Sequence, residues 1–79
     1  MKKVTLYTRV DCCLCDDVKA VLDEVRETEP FALEIVDVDR DPAAYALYTN
    51  EVPVVAIDGR KAFKFRLTAA ALREKLARR

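Results

Sequence analysis

The chain has 79 residues, 52% of them apolar and 35% charged, and its 14 basic and 14 acidic side chains cancel. That length holds one domain, residues 1–79, which buries about 60 to 65% of its unfolded surface, and the apolar share excludes a disordered chain. With no net charge there is no global field to recruit nucleic acid or an anionic membrane, and no apolar run reaches the roughly 18 residues of a membrane span.

Lys3 to Thr8 is rich in β-branched and aromatic residues, with Val4, Leu6 and Thr8 on one face and Thr5 and Tyr7 on the other, which predicts a strand. Met1-Lys2-Lys3 leads straight into it without a small-residue cleavage site, so a cytoplasmic protein is expected. Asp11 can cap the following helix, in which Val18, Val21, Leu22 and Val25 keep helical spacing to about Thr28, and Pro30 stops it. A second strand is expected from Phe31 to Val38, with Phe31, Leu33 and Ile35 on one face and Val36 and Val38 on the other.

Asp41 and Pro42 open a shorter helix carrying Ala44, Leu47 and Tyr48, with Asn50 as its exit. Val52 to Ile57 reads as a third strand, and Asp58-Gly59 as a two-residue hairpin turn into a fourth, Lys61 to Phe65. Thr68 can cap a last helix whose Leu72 and Leu76 face inward. Arg73, Lys75, Arg78 and Arg79 suit the negative end of its macrodipole. The order βαβαββα makes the first two strands parallel and the last two antiparallel. It predicts an α/β fold: a four-stranded mixed sheet flanked by three helices.

The three cysteines, Cys12, Cys13 and Cys15, fall within four residues and cannot staple distant segments, which excludes a disulfide-framed secreted domain. Their place between a strand and a helix favours chemistry. On a helix, residues i and i+3 share a face with Cβ atoms about 5 to 6 Å apart, so Cys12 and Cys15 can form a disulfide with little backbone movement. Free N–H groups and the macrodipole favour a thiolate at the first turn, where Cys12 stands, while Cys15 lies deeper and more shielded. Cys12 is therefore the expected nucleophile and Cys15 the resolving thiol. Arg9 adds favourable charge and Asp11 opposes it. Cys13 and Leu14 flank the pair. Cys13 is read as a side chain that tunes its neighbour, with a third redox partner or a metal ligand as the other roles open to it. Asp37 and Asp39 are either proton acceptors for Cys15 or solvated turn formers.

Leu6-Tyr7-Thr8-Arg9 leading to Cys12 to Cys15, the Val36-Asp37-Val38-Asp39 strand end before Asp41-Pro42, and Glu51-Val52-Pro53-Val54-Val55 before Ile57-Asp58-Gly59 together resemble the thioredoxin fold, and most closely the small glutaredoxin-like proteins. The resemblance covers essentially the whole chain. It implies that Cys12 and Cys15 are the catalytic pair, that Pro53 is a cis-proline packed beside them, and that the Val52 backbone pairs with an extended substrate. It also gives Arg9 a charge role in substrate binding, since glutaredoxins place a lysine there. Two departures stand out: Cys13-Leu14 replaces the usual Pro-Tyr, and Lys64-Phe65-Arg66-Leu67 stands where glutaredoxins carry Gly-Gly.

The function expected on these grounds is that of a monomeric thiol-disulfide oxidoreductase acting on protein or small-molecule disulfides. Glutathione or a thioredoxin-type reductase would reset the pair, at a potential of roughly −200 to −270 mV, with no bound cofactor and no metal. The alternative is a metal or iron–sulfur module, which with three thiols and no histidine would need a second chain or glutathione to complete its ligands. A binding adaptor that keeps the fold without turnover is a third reading.

Overall fold

A computed structural model of the protein describes residues 2–10, 13–48 and 51–77, and for Cys13 the backbone alone. The elements are β1 (Lys3–Thr8), α1 (Cys13–Arg26), β2 (Ala32–Asp37), α2 (Pro42–Tyr48), β3 (Val54–Ile57), β4 (Arg60–Lys64) and α3 (Ala69–Ala77). The strands form one sheet in the order β2-β1-β3-β4, with β1 parallel to β2 and antiparallel to β3, and β3 antiparallel to β4. This is the four-stranded mixed sheet with three helices that the sequence predicts.

Alternation in β1 divides the molecule into two layers. Val4 and Leu6 point to one face and join Val18, Leu22 and Val25 of α1, Val55 of β3 and Leu72 of α3 in a single apolar cluster. From the other face Tyr7 meets Tyr48 of α2, with ring centroids 4.7 Å apart. Burial there raises the Tyr7 pKa above the ordinary phenol value, with Tyr48 adding to the effect. At the far end of α1, the Thr28 hydroxyl donates to the Val25 carbonyl and accepts from Arg73, which links α1 to α3.

Local chemistry sets the turns. Asp58 and Gly59 have φ of 51° and 85°, the left-handed pair that a two-residue hairpin turn requires. Asp58 is also tied back to β1, its N–H donating to the Lys3 carbonyl and its carboxylate accepting from the Lys3 N–H. The Asp41 carboxylate accepts from the N–H groups of Ala43 and Ala44 at 3.0 and 3.1 Å, and the Thr68 hydroxyl accepts from Ala71 at 3.2 Å. Asp41→Ala is expected to cost about 1 kcal/mol of unfolding free energy, read from urea denaturation, because two first-turn donors lose their acceptor.

Several boundaries differ from the sequence reading: β2 covers Ala32–Asp37 rather than Phe31 to Val38, and α1 ends at Arg26 rather than near Thr28. β3 begins at Val54 rather than Val52, since Pro53 has no N–H to give to a ladder. β4 runs from Arg60 to Lys64, because Phe65 leaves strand geometry at a φ of 67°. The β3–β4 ladder also shifts register between Val55 and Ala56, which pair with Phe63 and Lys61 and leave Ala62 as a bulge. Ile35 shares a strand face with Phe31 and Leu33 but is 47% exposed, because β2 is an edge strand beyond the cover of the helices. The capping role expected of Asp11, the helix exit at Asn50 and the terminal cations Arg78 and Arg79 lie outside the described residues. Among the described residues no helix is long and apolar enough to cross a membrane.

Candidate functional site

Strand register brings four segments to one edge of the sheet. β1 ends at Thr8 with Asp37 of β2 beside it, β3 starts there with Val54 opposite Tyr7, and β4 ends there with Lys64 opposite Val54. Residues 9–12 join this edge to the start of α1, so the first turn of that helix rises from the same place. Two backbone bonds hold the segments past the ladders: the Val38 N–H donates to the Thr8 carbonyl at 2.9 Å, and the Phe65 N–H donates to the Pro53 carbonyl at 2.8 Å.

Cys15 sits in the first turn of α1 and is 4% exposed, whereas Leu14 next to it is 44% exposed. The difference follows from the roughly 100° step between neighbouring helical positions, which turns one side chain inward and the other out. The Val52-Pro53 peptide bond is cis, and Pro53 is fully buried. Arg9, Leu14, Cys15, Val52 and Pro53 thus all belong to this edge. Asp11, Cys12 and the side chain of Cys13 lie outside the described residues. Among the described residues, no group of three or more cysteine or acidic side chains is disposed to hold a metal ion.

Charges at this edge form ion pairs. Arg9 Nε donates to Asp39 Oδ2 at 2.9 Å, a hydrogen bond that raises the arginine pKa further above its ordinary value. Asp37 accepts from the Asp39 N–H through one oxygen and pairs with Arg40 at 3.7 Å through the other. Glu51, just before Val52, stands between Lys61 at 3.1 Å and Lys64 at 3.2 Å. Those two hydrogen bonds favour its charged form and lower its pKa below the usual carboxylate value. The Arg9–Asp39 pair ties the segment after β1 to the segment after β2, while Asp37 orders the turn in which it stands.

A groove of about 350 Å³ runs between α1 and the segment after β4, walled by Leu14, Val18 and Val21 on one side and by Phe65 and Leu67 on the other. Phe65 is 39% exposed although its backbone is in the left-handed region, where a bulky side chain is seldom found. The resemblance sets Lys64-Phe65-Arg66-Leu67 at the Gly-Gly position of glutaredoxins, but the residues themselves give no sign that Phe65 and Leu67 wall a groove against α1. Alternation describes a strand through Phe65 and gives no sign that the chain turns there. A second concavity, of about 610 Å³, lies at the opposite end of the sheet by the hairpin, near Asp58 and Lys75, away from Cys15.

The sequence profile of the Glutaredoxin-like domain (DUF836) matches residues 3–77. Among solved structures, the protein XcR50 from X. campestris is 35% identical, with 92% of this chain and 93% of that one covered and a TM-score of 0.76. Protein Ne2328 from Nitrosomonas europaea is 24% identical over 96% of this chain and 92% of its own, with a TM-score of 0.83. A thioredoxin mutant from Halobacterium salinarum NRC-1 is similar in fold, at 20% identity and a TM-score of 0.71, over 95% of this chain and 71% of that one. Among curated proteins, none matches.

Proposed function

Since the chain belongs to the glutaredoxin-like domain family and has the thioredoxin fold, we propose that it is a thiol-disulfide oxidoreductase whose redox pair is Cys12 and Cys15. Family and fold support a redox-type function. The observation that carries the assignment of the pair is the burial of Cys15 in the first turn of α1, at the sheet edge where Pro53 and Val52 arrive.

The Cys12 thiolate attacks one sulfur of a substrate disulfide. A Cys12–substrate disulfide forms, the substrate S–S bond breaks, and the leaving thiolate departs with the bonding electron pair and takes up a proton. Cys15, as its thiolate, then attacks Cys12 sulfur, forms the Cys12–Cys15 disulfide and releases the second substrate thiol. Two electrons pass from protein to substrate. An external thiol, glutathione or that of a thioredoxin-type reductase, reverses the change. Val52, outside the β3 ladder, offers backbone to an extended substrate, and Arg9 contributes charge before the helix. Leu14 forms part of the substrate's surroundings. Asp11 and Cys13 act by tuning Cys12. Residues 1–79 work in this reading as one monomeric domain in the reducing cytoplasm.

In a test of this assignment, Cys15→Ser incubated with glutathione disulfide or a peptide disulfide is expected to accumulate a mixed disulfide on Cys12, located by peptide mass spectrometry. An adduct on Cys13 would make that residue the nucleophile and overturn the roles of the pair. Absence of any adduct overturns the activity.

A further inference from the structure

Building on that reading, we infer that the natural substrates are protein disulfides carrying an apolar side chain near the reacting cysteine, and that glutathione disulfide is a poor substrate. The apolar side chain is seated in the groove between Leu14 and Phe65.

Three observations carry this. First, the groove opens at the edge where Cys15 lies, and five of the side chains lining it are apolar, Leu14, Val18, Val21, Phe65 and Leu67, with room at about 350 Å³ for a leucine or phenylalanine side chain. Second, the charges do not suit an anionic tripeptide. Arg9 is paired with Asp39 at 2.9 Å and Arg40 with Asp37 at 3.7 Å, and Lys64 shares Glu51 with Lys61. Arg66 shares the groove lining with Asp17 of α1. Glutathione disulfide has four carboxylates against two ammonium groups, and to bind them Arg9, Arg40 or Lys64 would have to exchange partners. Third, Phe65 is 39% exposed at a φ of 67°, a conformation that for a non-glycine residue is retained against a local energetic cost. Its N–H is fixed to the Pro53 carbonyl at 2.8 Å, and Lys64 Nζ lies 5.6 Å from its ring centroid, so the aromatic ring is placed as a wall rather than left loose.

In the reaction, the fully reduced protein gives two electrons and two protons to one peptide disulfide, yielding two peptide thiols and the Cys12–Cys15 disulfide. No co-reactant is needed for one turnover. The test uses pre-reduced protein in such single turnovers with four probes: homodisulfides of two short cysteine peptides that differ only in leucine or serine two residues before the cysteine, glutathione disulfide, and hydroxyethyl disulfide. Thiol release should be about tenfold or more faster with the leucine peptide than with the serine peptide, the range one apolar group supplies in a hydrophobic pocket. Glutathione disulfide should react no faster than the serine peptide. Phe65→Gly, which suits the backbone conformation and should fold at least as well, is expected to cut the leucine-to-serine ratio at least threefold. Equal rates for the two peptides, a ratio unmoved by Phe65→Gly, or glutathione disulfide reacting fastest overturns the groove assignment while the oxidoreductase reading stands. No thiol from any probe, hydroxyethyl disulfide included, overturns both.

Discussion

Cys12→Ser will lower the single-turnover release of thiol from hydroxyethyl disulfide by at least about a thousandfold, the order of loss seen when an enzyme is deprived of its nucleophile. A serine hydroxyl stays protonated at neutral pH and cannot act as the thiolate does. The loss is expected to be nearly complete because the remaining member of the pair cannot stand in: Cys15 is 4% exposed, and a disulfide in solution has no approach to it. In the proposed mechanism, burial of the inner sulfur turns a shared chemistry into a division of labour. Retention of a tenth or more of the wild-type rate would identify a different nucleophile, with Cys13 the first to examine by Cys13→Ser.

Leu22→Ala is the substitution expected to cost most in stability. Leu22 is fully buried at the centre of the cluster that joins α1 to β1, β3 and α3, and truncating a leucine in such a place costs about 2 to 5 kcal/mol. A 79-residue domain has about 4 to 12 kcal/mol in total, so the variant should lose a large part of its unfolding free energy and roughly 10 to 30 °C in Tm. Leu47→Ala is the matched control, since Leu47 is 66% exposed and its loss should stay within about 0.5 kcal/mol. Urea denaturation of both variants decides the matter. A loss under about 1 kcal/mol at Leu22 would mean that α1 does not bury the face described.

The elements whose signals are local were legible in the sequence. Helical spacing of Val18, Val21, Leu22 and Val25 marks α1, Asp58-Gly59 marks the hairpin, and Asp41 and Thr68 mark the starts of α2 and α3, where their side chains accept the expected backbone N–H groups. What was not legible depends on tertiary placement. The Arg9–Asp39 pair joins residues 30 positions apart, and nothing in either segment names the other. Ile35 carries the right residue type for a core strand but lies at a sheet edge, a fact about strand order rather than composition. Phe65 is the clearest case. A phenylalanine in an alternating run reads as strand, and only the junction with Pro53 and the groove beside α1 shows why it turns away. For the site, the sequence points to Cys12 and Cys15 as the pair and to Val52 and Pro53 as their companions, while the apolar wall facing Leu14 emerges only from the assembled sheet.

The extra residue at Ala62 has a colloidal consequence. A strand carrying one residue more than its partner coils more strongly, and β4 is the outermost strand on its side, with Lys61 and Lys64 along it. A twisted, cationic margin makes a poor template for hydrogen bonding by a neighbouring molecule's sheet. The opposite margin, β2, matches β1 residue for residue over six positions without interruption, so any intermolecular zippering at high concentration is steered toward Ala32–Asp37, leaving the groove beside Phe65 uncovered.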